Sequence, residues 1–373
     1  MDAGRIDVVG PAVPRGDTVL TPAALEFVTH LHARFAPARA ELLAARARRR
    51  ASLGNGCDLR PRPAMPAVRH DPTWRVAGPG PGLTDRRVEF VGPADQATAH
   101  AALGSGASTW VADLEDSTSP TWHNVVTGHV VLADVVRQWP TGTGPDAPPT
   151  LIMRPRGWHL VEKHLCHTDR TGRTTAASAS LVDFGLFVFA NAADLAARGQ
   201  GPYVYLPKLE SAAEARLWDQ VFTETERVLG LPHKTIRATV LIETITAALE
   251  MEEILYELRH HCAGLNAGRW DYLFSIIKKF HDRGPSWTLP DRAALTMTTP
   301  LMQAYTRLLV SACHRRGAQA IGPQSTAILD DQDAEASERA AEVAAEKRRE
   351  AEQGFDGTWV AHPGLVDIAR SAF

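Results

Sequence analysis

Cysteine is scarce in this sequence. The four present, Cys57, Cys166, Cys262 and Cys313, lie far apart with no pair at metal-finger spacing. That excludes a cysteine-based zinc frame and a disulfide-stapled secreted scaffold, and it points to a reducing, cytoplasmic setting. Net charge is also small, since 40 Lys and Arg against 43 Asp and Glu leave −3 at pH 7. A partner recognised by bulk charge, nucleic acid or membrane surface, is excluded on that ground. No signal-like apolar segment opens the chain, and no apolar run is expected to reach the ~20 residues of a membrane span. What is present is an ordinary globular composition, 44% hydrophobic and 22% charged over 373 residues. One large α/β barrel with an extension or two domains both fit that length.

Residues 1–20 are rich in Gly, Pro and Asp and read as a loose arm. Thr21 and Pro22 then form a cap and first turn, and Leu25, Val28, Leu31 and Phe35 give the helix an apolar face. Pro37 is expected to end or kink that helix. A second helix, Ala38 to about Ala51, closes on Arg46, Arg48, Arg49 and Arg50, which reads as a solvated helix end before an anion site. Residues 53–86 are turn-rich, so 1–86 read as a helical clasp and linker outside a barrel spanning 87–373. From Arg87 onward eight strand-like segments follow: Val88–Val91, Thr109–Leu114, Leu151–Arg154, Tyr203–Leu206, Ala238–Ile242, Gly264–Asn266, Ala318–Ile321 and Thr358–Ala361. Helical stretches separate most of them, which predicts an α/β fold closed as a TIM-type (β/α)8 barrel. The apolar run Phe184–Phe189 fits an inserted strand or part of a crossover. Pro300–Arg316 reads as an amphipathic helix stopped at Gly317, and Asp333–Gln353 as an exposed helix packing only through Ala and Val.

The chemistry concentrates where strands end. Ala238–Ile242 delivers Glu243, and the segment after Cys262–Leu265 delivers Asp271. In a barrel these ends converge on one mouth, where two carboxylates with open positions suit Mg²⁺. The turn Asn266–Trp270, with Gly268 and Arg269, leads into a helix whose N–H groups would face an anion. The competing reading pairs Glu243 with Arg237 or Arg269 and makes Asp271 a helix cap. Asp113, Glu115 and Asp116 crowd another strand end, where a cation, a metal-bound water or a proton is needed, or where Asp116 or Ser117 caps the next helix. Arg154 and Arg156 end the third strand and demand anions. His159, His164 and His167 do not match a zinc spacing. Lys208 and Glu210 favour a salt bridge at the mouth over a Schiff base, and His362 and Pro363 fit a packed turn or a channel wall.

RATVLIET, ILYELRHHCAGLNAGRWDY, TWVADLEDSTSPTW, IMRPRGWHLVEKH, YVYLPKLES, CHRRGAQAIG and DGTWVAHP occur along this chain. Together, from about Thr18 to about Val366, they resemble malate synthase of the A type. The resemblance implies a Mg²⁺-dependent Claisen condensation of acetyl-CoA with glyoxylate, followed by thioester hydrolysis to malate and CoA. It implies Glu243 and Asp271 as metal ligands, Gly268, Arg269 and Trp270 as substrate-binding, and Asp113 and Glu115 as supports of the metal's water shell. Arg154 would stabilise the enolate, and Arg156 would make a structural ion pair. Two departures stand out. The family continues into a helical domain with the general-base aspartate in a Met-Glu-Asp-Ala-Ala-Thr motif that this chain lacks, so the expectation is an unknown base, or a C-terminal domain supplied as a separate chain. Gly322-Pro323-Gln324 stands where the family has Gly-Gly-Met. Three readings follow: malate synthase, a malyl-CoA or citramalyl-CoA lyase-like enzyme, or a truncated homologue that binds ligand without turnover.

Overall fold

Short, fully buried runs of β-branched and aromatic residues form the barrel strands, because only residues covered on both faces can be apolar at every position. The computed structural model describes residues 4–60, 66–140, 147–329 and 336–373. Its strands are β1 (Arg5–Val8), β2 (Val88–Pro93), β3 (Thr109–Asp113), β4 (Thr150–Arg154), β5 (Val161–Thr168), β6 (Thr174–Ser178), β7 (Tyr203–Leu206), β8 (Arg237–Ile242), β9 (Cys262–Ala267), β10 (Gln319–Ser325) and β11 (Gly357–Val360). Eight of them close a barrel in the order β10-β11-β2-β3-β4-β7-β8-β9, every pair parallel. The eight expected strands are all there, and the (β/α)8 reading holds.

The barrel interior is filled by Val91, Val111, Ile152, Tyr205, Leu241, Ile321 and Trp359. A polar network lies among them. Arg86 donates to Glu89 (2.6 Å), Thr239 (2.9 Å) and the Tyr205 hydroxyl (2.7 Å), while Trp359 Nε1 donates to Glu89 (2.7 Å). Each buried charge therefore has a partner, as burial requires.

Several expectations are corrected. The supposed loose arm contains β1, which pairs antiparallel with β5, and β5 with β6, as a small sheet outside the barrel. Pro37 does not end its helix, which runs unbroken from Pro22 to Gly54. Its far half is held by the barrel: Arg39 donates to the carbonyls of Trp158 (2.6 Å) and Leu160 (2.9 Å), Arg46 to Glu214 (2.5 Å), and Arg49 to Glu250 (3.0 Å). Those tertiary bonds outweigh the lost N–H of one proline, and they make Arg46 and Arg49 anchors instead of a solvated end. The Phe184–Phe189 run lies inside a helix, Ala179–Ala197. By length and composition this helix could cross a membrane, contrary to expectation, but 72% of its apolar window is buried inside the fold. The helix Ala336–Glu352 does not pack through Ala and Val alone, since Lys347 and Glu350 are buried beneath it; the start of the expected helix, 333–335, lies outside the described residues.

Candidate active site

The C-terminal ends of β3, β4, β7, β8 and β9 bring their charged residues to one mouth. Glu243 directly follows β8 and is only 2% exposed. Its Oε1 accepts the Lys208 backbone N–H at 2.6 Å. Asp271 sits in the first turn of the helix Trp270–Phe280, after β9. Asp116, from the loop after β3, completes a group of three: one carboxylate oxygen each from Asp116, Glu243 and Asp271 lie within 4.8 Å of one another. Three carboxylates so close need a cation. In the structure the Lys208 ammonium answers them, at 2.5 Å from Asp271, 3.1 Å from Asp116 and 3.7 Å from Glu243.

Electrostatics follow from this crowding. Burial pushes the Glu243 carboxyl up to about 8, against the pull of Lys208 and Arg154 and with Asp271 and Asp116 adding to the rise. Arg154 is buried, which alone would lower it, yet Asp113, Glu243, Asp116 and Glu115 surround it and hold it firmly charged. It donates to Asp116 and, at 3.4 Å, to Asp113, and it lies 5.6 Å over the Trp359 ring. Its Nε has no partner though buried, so one donor is left at the mouth.

The structure sorts the three carboxylates of the β3 loop. Asp113 turns inward and accepts the N–H groups of Glu115 (2.9 Å), Asp116 (3.2 Å) and Ser117 (2.9 Å), so it fixes the turn. Glu115 accepts the Gly157 N–H at 2.6 Å, and burial raises it to about 7. Asp116 is the one that reaches the cluster, a place that sequence reasoning did not assign to it. The sequence reading of Lys208 as a salt bridge at the mouth is what is found, with Asp116 and Asp271 as its partners.

Gly268, Arg269 and Trp270 line the same cavity of about 290 Å³ as Asp116, Arg154, Glu243 and Asp271. The Gly268 N–H is not free for an anion, because it donates to the Ile242 carbonyl at 3.3 Å. The N–H groups that remain belong to the first turn of Trp270–Phe280, where no side chain caps the helix. Arg269 donates to Leu295 O (3.1 Å) and lies over Trp270, which Arg292 covers from 4.0 Å. A second cavity, about 310 Å³, adjoins Glu243 and Asp271 and is rimmed by Arg46, Arg50, His159, Lys278 and Lys279. Burial, with Arg46 and Lys208 nearby, lowers His159 to about 4 and keeps it neutral. A third cavity, about 710 Å³, is apolar and lies along Trp270, Phe274, Ile277 and Trp287, with none of the three carboxylates in its lining.

Other candidates are structural. Arg156 makes a bidentate pair with Asp183 (2.8 and 2.9 Å) and a bond to Glu162 (2.8 Å). His164 pairs with Glu162, and His167 packs on His32, so the three histidines of that stretch do not converge. His362 Nδ1 accepts from Gly364 N–H, a packed turn. Pro323 falls at a bulge between Gly322 and Gln324, where a missing N–H is tolerated.

Fold and site together define a (β/α)8 barrel with three clustered carboxylates at its C-terminal mouth. The chain matches the malate synthase TIM barrel domain over residues 150–373 and the malate synthase N-terminal domain over residues 5–65. It is 55% identical to malate synthase of Streptomyces clavuligerus over 98% of this chain and 69% of that protein. Against malate synthase A of Escherichia coli the identity is 42%, over 95% and 67%. The chain belongs to the malate synthase family. It spans about two thirds of the length of the curated relatives it matches. Among solved structures, the citrate lyase beta subunit of Mycobacterium tuberculosis complexed with oxaloacetate and magnesium superposes with a TM-score of 0.50 at 18% identity, covering 78% of this chain and 98% of that one. At that identity the likeness shows the fold alone.

Proposed function

We propose that this chain carries the metal- and glyoxylate-binding barrel of a malate synthase, which joins acetyl-CoA to glyoxylate and releases malate and CoA with the consumption of water. The observation that carries this reading is the Asp116, Glu243 and Asp271 cluster beside Arg154 in a chain of that family. All-oxygen donors and an excess of negative charge suit a hard divalent ion such as Mg²⁺, for which the Lys208 ammonium now stands in. Glu243 and Asp271, with Asp116 beside them, would hold it. Bound there, the ion would polarise the aldehyde of glyoxylate as a Lewis acid.

The protein's own groups do the rest. The uncapped first turn of Trp270–Phe280 points N–H groups at the glyoxylate carboxylate. Arg154 is locked by its carboxylate partners and packed near Trp359, so it offers a fixed positive charge to the enolate oxygen that develops when the acetyl methyl loses its proton. The rim of Arg46, Arg50, Lys278 and Lys279 favours an anionic substrate in the adjoining cavity. The four cysteines are free thiols, in keeping with a cytoplasmic enzyme.

The test is glyoxylate binding by calorimetry on this chain, with and without Mg²⁺, together with release of CoA thiol from acetyl-CoA plus glyoxylate. Binding should require Mg²⁺ and disappear in Glu243→Ala. Metal-independent binding, or binding that survives this substitution, would remove the cation site from the reading.

A further inference from the structure

The end of the barrel opposite the mouth holds a second cluster of ligating groups. The helix Ala212–Leu229 stops at Gly230, and the chain turns through 231–235 into β8. A second turn, after the helix Met251–Glu257, sets His261 just ahead of β9. Glu226, His233 and His261 thus meet where β8 and β9 begin. One carboxylate oxygen and one ring nitrogen from each histidine lie within 4.8 Å of one another. The six residues of β8, at ~3.3 Å each, separate this cluster from Glu243 by roughly 20 Å.

The donors are oriented from behind. His261 is fully buried, and its Nδ1 stands 2.7 Å from Asp219 Oδ1, which leaves Nε2 facing Glu226 Oε2 at 3.3 Å. A carboxylate behind an imidazole in this way fixes the ring and raises its basicity toward a metal. Glu226 is itself fixed by the N–H groups of Lys234 (3.0 Å) and Ile236 (2.9 Å). His233 Nδ1 lies 3.1 Å from the same Glu226 oxygen, and its half-exposed side chain gives the cluster a way in from solvent. Two imidazole nitrogens and one carboxylate oxygen suit Zn²⁺ and its neighbours, whereas Mg²⁺ and Ca²⁺ prefer oxygen alone.

We infer that Glu226, His233 and His261 form a site for a zinc-class divalent transition ion at the closed end of the barrel, with Asp219 orienting His261. An ion there ties the end of the helix Ala212–Leu229 to the entries of β8 and β9. Binding replaces the protons on the ring nitrogens that now face Glu226, so those protons leave to solvent.

The test titrates Zn²⁺ into the Glu243→Ala protein, where the mouth no longer competes, and into wild type with excess Mg²⁺ keeping the mouth filled. His233→Ala is then added to each; this side chain is half exposed, so its removal spares the fold. Stoichiometric Zn²⁺ binding in both backgrounds, weakened by about tenfold or more by His233→Ala, is the expected result. Co²⁺ should give visible absorption that the same substitution abolishes. No Zn²⁺ binding outside the mouth, or binding indifferent to His233→Ala, overturns the site and leaves Glu226 as a cap for the turn alone.

Discussion

Gly268 has no room for a side chain, because a Cβ there would fall 2.4 Å from the Cβ of Glu243. Gly268→Ala should therefore push Glu243 out of position and weaken Mg²⁺ binding by about 10–100-fold, the usual effect of disturbing a ligand's support. Calorimetric titration with Mg²⁺ measures this; an unchanged affinity would mean that Glu243 is not a ligand. Lys208 predicts the opposite sign. Its ammonium sits within 4 Å of all three carboxylates, and a charge at such a distance opposes an incoming dication by a few kcal/mol even at an effective dielectric constant near 20. Lys208→Met should tighten Mg²⁺ binding by on the order of tenfold or more and destabilise the metal-free protein. Looser binding in that variant would show that Lys208 helps to build the site instead of competing for it. Glu243 and Arg154 were legible in the sequence because each stands at the end of an apolar run, and Asp271 because it follows one across a short glycine-containing turn. Asp116 was not. Three carboxylates share its loop, and the turn geometry that spends Asp113 on backbone N–H groups decides which one reaches the mouth.

At the scale of elements, the helix Pro22–Gly54 and the small outer sheet meet at two histidine rings, His32 and His167, 4.5 Å apart. Burial above all, then the charges of His167 and Arg39, lowers His32 to about 4 from an ordinary value near 6.5. Between those values the unfolded chain takes up a proton that the folded one refuses. Stability from this residue is thus full above about pH 6.5 and falls as pH drops toward 4, by at most about 3 kcal/mol. His32→Leu should flatten that slope by removing the titrating ring, and it also removes a buried Nδ1 that has no hydrogen-bond partner. Urea unfolding between pH 7.5 and 5 gives the comparison, and identical slopes in both proteins would refute it. The same region shows why some elements escaped the sequence. Barrel strands announce themselves as short continuous apolar runs. By contrast, β1 and β5 are partly exposed and pair across about 160 residues, Arg5 with Thr168 for instance, so nothing local marks them. Ala179–Ala197 is buried nearly all round, and its helical periodicity is lost for that reason.

Across the whole molecule, the N-terminal helix reaches the mouth through a buried ion pair. Arg46 holds Glu214 through two bonds, at 2.6 and 2.5 Å, and also donates to the Lys208 carbonyl at 2.9 Å. One side chain therefore joins the helix, the start of Ala212–Leu229 and the loop that positions Lys208 against the carboxylates. Burial raises the Glu214 carboxyl even with Arg46 in place, so removing the arginine leaves a buried acid with no cation. Arg46→Ala should cost about 3–5 kcal/mol, as expected when one partner of a buried pair is lost. Glu214→Gln added to it should restore much of that stability, because the uncompensated charge is gone. The backbone bond to Lys208 stays lost in both proteins, so Mg²⁺ affinity should remain altered where stability recovers. Denaturant unfolding of the two single variants and the double one, with Mg²⁺ titrations on each, separates the two roles. If stability and affinity recover together, the helix acts on the mouth only by holding the fold; if affinity stays behind, Arg46 also sets the position of Lys208.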